Sequence, residues 1–369
     1  MGDNQQRLRT PVHLKLVRIF GDTHGWWSDD HEKENIQYCN NISSDYIRFR
    51  ITLISNELNN PSGLPAIYVR QLYSECLEFL FSILFASIQD ISAVPIWMNG
   101  YTNTKLRKAV KDFRMSGLII GSTSELLSIS RVSDKIASTL FPSKSDSNRS
   151  IELRCFLVGC LNGFTKDYGN DDIYEEYNAI KHGNRIKSGK FELRFAKMQA
   201  GNENRPDDDE FHTLVKSEST IHYSRIVKIR KINKITDFSL EEVNSTVEIK
   251  QYVNRVLLVC NFIDIIKEYI LISLGLPRNN RQISTGFMEI FLAWRPNEKN
   301  GTTILRHKYY LDGECQEKDW GYDVNFQPSA FSLGINYAFY ATPSHIIPLL
   351  YLSTSKSNHF FIRTGIQNR

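Results

Sequence analysis

An amide and an imidazole stand one helical turn apart in the middle of this sequence. The segment from Asp171 to His182 starts with acidic residues and stops before a glycine, a pattern that predicts a short helix. Asn178 and His182 would share one face of it, because residues four positions apart on a helix are neighbours. An imidazole serves as a general acid or base, and nearby cations attract phosphate. Four side chains of this segment could therefore take part in such chemistry: His182, Asn178, Lys181 and Arg185.

This segment resembles the motif of the HEPN helical domains, which occur in many prokaryotic ribonucleases and their inactive relatives. Their motif is an arginine, four to six residues and a histidine, often with an asparagine directly after the arginine. Asn178 and His182 match the asparagine and histidine positions. The three positions permitted for the arginine hold Glu175, Glu176 and Tyr177 instead. The resemblance covers about residues 64–275 and implies a helical bundle.

The family's chemistry supplies an expectation for each matched residue. The histidine acts as a general acid or base in RNA cleavage without a metal, and the arginine stabilises charge on the phosphate. Without that arginine, Lys181 or Arg185 would have to supply the charge. The resemblance further implies a homodimer with the motif at its interface, and a role in a defence or toxin system.

A basic segment follows farther along the chain. Five cations fall within ten residues, in a stretch that reads as extended. Such a patch is typical of contacts with nucleic-acid phosphates, whereas the other interpretation is a solvated strand edge. The predicted nucleic-acid-binding residues are Arg225, Lys228, Arg230, Lys231 and Lys234.

A short motif near the start, from Phe20 to Gly25, is similar to the opening motif of calcineurin-like metallophosphoesterases. There, an Asp and a His two positions apart reach one metal, as Asp22 and His24 would. A two-metal site needs more ligands than these, and the family's later motifs do not occur here in order. We therefore expect a polar turn between two strands, no bound metal and no cofactor.

Hydrophobic spacing places these residues among helices and strands. Apolar residues recur at steps of three and four in several segments, which predicts helices there. The predicted helices cover about residues 64–88, 105–115, 125–140, 151–162, 171–182 and 247–274, the last with a capping box of Ser245 and Glu248. Alternating apolar residues from Lys190 to Lys197, and the extended stretch from Phe211 to Ile235, predict a β-hairpin that interrupts the helices.

The two ends of the chain are rich in β-branched and aromatic residues. We expect an extended N-terminal β segment over residues 1–60 and a HEPN-like helical core over residues 61–280, with the hairpin inserted at 190–235. A small aromatic, β-rich lobe would follow over residues 281–369. The predicted fold class is therefore α+β.

Composition limits the function further. The formal net charge of the 369 residues is only +4, so any basic footprint must be local. The six cysteines form no C-x-x-C pair and mostly sit in apolar stretches, which is typical of reduced, buried thiols. With no apolar leader and no run that reads as a membrane span, we expect a cytoplasmic protein that does not contact membranes.

The sequence favours a HEPN-like protein that binds or cleaves RNA and forms a homodimer. The rival hypothesis is a non-enzymatic interaction protein that binds a partner protein through the aromatic C-terminal lobe, with the same helices purely structural. A metallophosphoesterase is the weaker alternative.

Overall fold

The fold comes from a computed structural model. It describes residues 12–57, 63–120, 125–143, 147–182, 186–198, 212–232, 235–277, 301–308, 321–328, 336–337, 349–353 and 359–365.

Nine α-helices occur among these described residues. In chain order they are α1 (His31–Asn41), α2 (Asp45–Asn56), α3 (Leu64–Gln89), α4 (Val94–Gly100), α5 (Asn103–Met115), α6 (Ile129–Leu140), α7 (Ser147–Gly169), α8 (Asp171–Lys181) and α9 (Ile249–Ser273). The predicted helices correspond to α3, α5, α6, α7, α8 and α9. Helix α6 begins later than expected because Glu125–Leu127 is a strand, and the Ser128 hydroxyl then caps the helix by accepting from the Arg131 N–H.

The strands within the described ranges form one large sheet and two small hairpins. They are β1 (His13–Ile19), β2 (Asp22–Ser28), β3 (Leu118–Ile120), β4 (Glu125–Leu127), β5 (Ile186–Met198), β6 (His212–Ile232), β7 (Ile235–Thr246), β8 (Gly301–Lys308), β9 (Gly321–Pro328), β10 (Asn336–Tyr337), β11 (Leu349–Ser353) and β12 (His359–Gly365). The large sheet has the order β10-β9-β8-β7-β6-β5-β12-β11, and the other pairs are β1-β2 and β3-β4. The fold class is α+β, as predicted.

The predicted hairpin and the predicted C-terminal lobe contribute to the same sheet. Strand β5 pairs with β6 as expected, but β8 also pairs with β7, and β12 pairs with the outer edge of β5. Strands from the insertion at 190–235 and from the lobe at 281–369 therefore belong to one sheet. The sequence alone did not indicate this, because the pairing joins segments far apart in the chain.

The N-terminal region departs most from its prediction. Residues 13–28 are a hairpin as expected, and the turn at Phe20 and Gly21 has positive φ at both residues, which suits a type I′ turn. The segment from Asp45, predicted as a strand, is helix α2. Its β-branched residues suggested a strand, but Ile51 and Ile54 are buried three positions apart, which is the spacing of a helix face. The polar stretch before it also forms a helix, α1.

The predicted capping box of α9 is incorrect, whereas the helix ends at Ser273, next to the predicted end at residue 274. Ser245 does not cap the helix, because it lies in β7 opposite Ile221. At the other end, Gly275 has φ +82, its N–H donates to Ile272, and the Leu276 N–H donates to Leu271. This is a Schellman ending, in which glycine takes the left-handed conformation that other residues avoid.

The chain divides into two compact units, each made of segments that are distant in the sequence. The first comprises residues 1–51, 72–173 and 254–293, and the second comprises residues 52–71, 174–253 and 294–369. Aromatic rings fill the core of the first, including an edge-on contact of Phe85 with Phe113. In the second, Phe191, Ile221 and Val243 are buried.

The described residues contain one helix, α3, that is long and apolar enough to cross a membrane by length and composition alone. Its most apolar window is 78% buried inside the protein, as in the core helix of a folded domain. At 26 residues, α3 matches the helix predicted over residues 64–88 to within one residue.

Four of the five cysteines in the described residues are buried, as expected, whereas Cys155 is exposed on α7. All five are free thiols. Burial raises the pKa of Cys39 and of Cys260 to about 12, so these thiols stay protonated.

Candidate nucleic-acid interface

Helix α8 carries the predicted site, and one buried ion pair anchors it. The Arg70 Nε donates to Glu176 Oε1 at 2.5 Å, and only 4% and 3% of these two side chains is exposed. The Arg70 guanidinium also lies 4.5 Å from the centre of the Tyr252 ring. Ala179 and Ile180 are buried on the same helix. One side of α8 is therefore fixed by both apolar contact and charge.

The other side of α8 presents the predicted polar residues. Lys181 and His182 are exposed at its end, and Asn178 is half-buried one turn earlier. The His182 N–H donates to the Asn178 carbonyl at 3.1 Å, which continues the helical pattern through the histidine. Three of the four predicted residues thus lie together, and the fourth, Arg185, lies outside the described residues.

The positions at which the resemblance would place an arginine supply no cation. Glu175 is exposed, Glu176 is committed to the ion pair with Arg70, and Tyr177 is half-buried. The guanidinium that α3 brings to this helix is buried, and a carboxylate balances its charge. A phosphate would therefore bind the exposed lysine at the helix end more favourably than the buried Arg70.

Strand β5 adds a cation that the sequence analysis did not single out. Lys187 is exposed, and five residue steps separate it from His182, a span of at most about 18 Å. Lys190 is also exposed, but its ammonium lies 2.5 Å from Glu218. The run from Lys181 to Lys190 has four cations and no carboxylate, a signal that could have indicated Lys187. Lys181, His182 and Lys187 are hereafter the α8–β5 face.

The basic segment of β6 is only partly available for phosphate. Arg225 is half-buried and pairs with the buried Glu241 at 2.7 Å, so its charge is already balanced. The pairing follows from register, because Glu241 stands directly opposite Arg225 on β7. The backbone of Lys228, Arg230 and Lys231 lies in β6, with a register shift between the first two, and Lys234 lies outside the described residues.

Asp22, in the motif at Asp22 and His24, pairs with a lysine. Both residues lie in β2, and Asp22 forms an ion pair with Lys105. The hydrogen bond and positive charge of Lys105 lower the pKa of the Asp22 carboxyl. Within the described residues, no group of three or more His, Cys, Asp or Glu side chains is placed to hold a metal.

No protein-family model, curated protein or solved structure matches the chain.

Proposed function

We propose that this protein binds RNA through the α8–β5 face. The observation that carries the proposal is the placement of Lys181, His182 and Lys187, which are all exposed on a short stretch of chain whose first helix is anchored on its other side. Cations that are free of carboxylate partners gain from displacing counterions around phosphates, whereas a paired cation such as Arg225 gains less. A fixed support lets such a face bind without first being ordered.

Binding is a better proposal than cleavage. Metal-independent cleavage needs a proton-transfer group and a cation that stabilises charge developing on the phosphate. His182 is suited to the first task, but the three positions before it offer two carboxylates and a tyrosine in place of the arginine. We retain the HEPN-like bundle as the proposed ancestry of the helical core, and with it a homodimer in a defence or toxin system.

The salt dependence of RNA binding tests the proposal. We expect Lys181→Gln with Lys187→Gln to weaken binding of a single-stranded RNA. The slope of log affinity against log salt should fall by about 1.4, because each lost contact with a single strand removes about 0.7. Fluorescence anisotropy at several salt concentrations measures both quantities.

The matched control is Lys33→Gln with Lys108→Gln, which removes two exposed lysines outside the α8–β5 face and should change the slope little. An equal loss in both double variants would mean that binding follows net charge and not this face. Gel analysis of the RNA after incubation with a chelator reports cleavage, and fragments that disappear with His182→Ala would restore the nuclease hypothesis.

A protein-interaction role is the second candidate function, favoured by one surface. The outward side of the β1–β2 hairpin exposes Val12, Leu14, Leu16 and Trp27, and Leu14 stands opposite Trp27 in register. Contiguous exposed apolar side chains of this kind mark contact surfaces. This surface is not the one predicted from the sequence, which was the aromatic C-terminal lobe. The side chains of that lobe lie outside the described residues. Absence of RNA binding in the titration above would favour this function.

A further inference from the structure

A histidine in the middle of the large sheet is held in one orientation. His222 lies in β6, directly opposite Lys187 on β5 and Asn244 on β7. Residues directly opposite one another on neighbouring strands share a face, so these three side chains lie side by side. The imidazole Nδ1–H donates to Asn244 Oδ1, and the Phe191 ring lies 6.3 Å from the imidazole, centre to centre. With its proton on Nδ1, the ring presents Nε2 as an acceptor.

Two buried polar atoms beside this arrangement have no hydrogen-bond partner among the described residues. They are His222 Nε2 and the hydroxyl of Thr220, two positions earlier on the same face. Thr220 is fully buried, whereas His222 is partly exposed. Nearly all buried polar groups in proteins bond to protein, water or ligand, so two neighbouring exceptions indicate a place for an additional molecule.

Gly189 is a cross-strand neighbour of these two residues. It stands directly opposite Thr220 on β5. A Cβ added to Gly189 would meet, among the described residues, only His222 Nε2, at 3.8 Å. The unpaired nitrogen therefore borders the position that a side chain at 189 would occupy, and the unpaired hydroxyl belongs to the residue directly across the strand pair. Gly189 itself is partly exposed.

We propose that Gly189, Thr220 and His222 form a subsite for the edge of an RNA base, with Lys187 beside it to receive the phosphate. The site offers an acceptor at Nε2 next to a hydroxyl that can donate. Base edges carry the complementary pair, an N–H beside a ring nitrogen or carbonyl, and unstacked bases of single-stranded RNA expose it. This subsite rests on the proposed RNA binding and names what that binding recognises.

The surroundings of His222 favour its neutral imidazole, which suits an uncharged base edge as ligand. Burial lowers the pKa of His222, and the charge of Lys187 acts in the same direction, whereas the hydrogen bond to Asn244 and the charge of Glu242 act in the opposite direction. The net lowering keeps the ring neutral at pH 7, so Nε2 accepts a hydrogen bond.

Two substitutions test the subsite without removing the histidine. Gly189→Ala places a methyl group where the base edge would lie, and its contact at 3.8 Å is ordinary, so the sheet accommodates it. Thr220→Val removes the hydroxyl but keeps the shape. Because that hydroxyl has no hydrogen-bond partner in the part of the chain that the structure describes, we expect the melting temperature of Thr220→Val to stay level or rise.

The probes are ten-nucleotide oligo(A), oligo(C) and oligo(U), together with an abasic ribose-phosphate oligomer of the same length. We expect each variant to bind the best base-containing oligomer at least fivefold more weakly than wild type, with unchanged affinity for the abasic one. Ser224→Ala, on the same face of β6, and Gly169→Ala on α7 are the controls and should bind as wild type does.

The outcomes separate the subsite from the proposed function. Equal binding of all oligomers by wild type and both variants overturns the subsite, leaves RNA binding intact and assigns the position to an ordered water only. Equal losses on base-containing and abasic oligomers also overturn it, because the bases are then not read. Failure of wild type to bind any oligomer overturns the proposed function and the subsite together.

Discussion

Glu176→Ala should lower the free energy of unfolding by about 3–5 kcal/mol, the cost of leaving a buried partner charge uncompensated. The partner is Arg70, whose side chain is 4% exposed and whose Nε lies 2.5 Å from the lost carboxylate. Water cannot replace that carboxylate without opening the contact between α3 and α8. The Tyr252 ring, 4.5 Å from the guanidinium, offsets only part of the loss, because a cation over a ring gains about 2 kcal/mol when desolvated.

Chemical denaturation followed by circular dichroism measures this loss. Glu175→Ala, one residue away but exposed, is the matched control and should change stability by less than about 0.5 kcal/mol. The double variant Arg70→Met with Glu176→Leu should recover much of the loss, because an apolar pair of similar volume removes both charges. A loss below about 1 kcal/mol for Glu176→Ala would mean that the pair is solvated and does not anchor α8.

The helices could be predicted wherever one apolar face repeats at steps of three and four. Helix α3 follows that pattern from Ala66 to Leu84, and most of its apolar residues are buried. Helix α2 does not, because Phe49 and Leu53 are exposed although they are apolar, and its β-branched residues favour a strand locally. Packing, which the local sequence does not contain, determined its structure.

The site could be predicted only where its residues are neighbours in sequence. Asn178 and His182 share a turn because helical geometry alone places them there. The anchor of that helix joins residues 106 positions apart, which no local pattern encodes. The same holds for His222, since its neighbours Lys187 and Asn244 depend on the register of three strands. The pairing of Arg225 with Glu241, which balances the charge of a predicted RNA-binding residue, also depends on register.

His182→Ala should leave stability nearly unchanged and weaken RNA binding. It differs in this from Glu176→Ala on the same segment, which should lower stability. His182 is exposed at the end of α8 and contributes little to packing, so the melting temperature should change by less than about 2 °C. Affinity for single-stranded RNA should fall at least tenfold, because His182 is an exposed member of the proposed binding face and directly follows Lys181 in the chain. Differential scanning fluorimetry and anisotropy titration on the same samples measure both effects.

His31→Ala is the control for loss of a histidine elsewhere. Its Nε2 lies 2.9 Å from the Trp26 carbonyl and its ring contacts the Trp26 ring, so this variant should lose stability but keep RNA affinity. Glu176→Ala should also lose stability. At temperatures where this variant stays folded, its RNA affinity should depend on how well α8 remains anchored. A His182→Ala protein that melts several degrees lower and binds RNA unchanged would place the histidine in the structural part of the helix. The RNA would then bind elsewhere on the protein, and His182 would not belong to the binding surface.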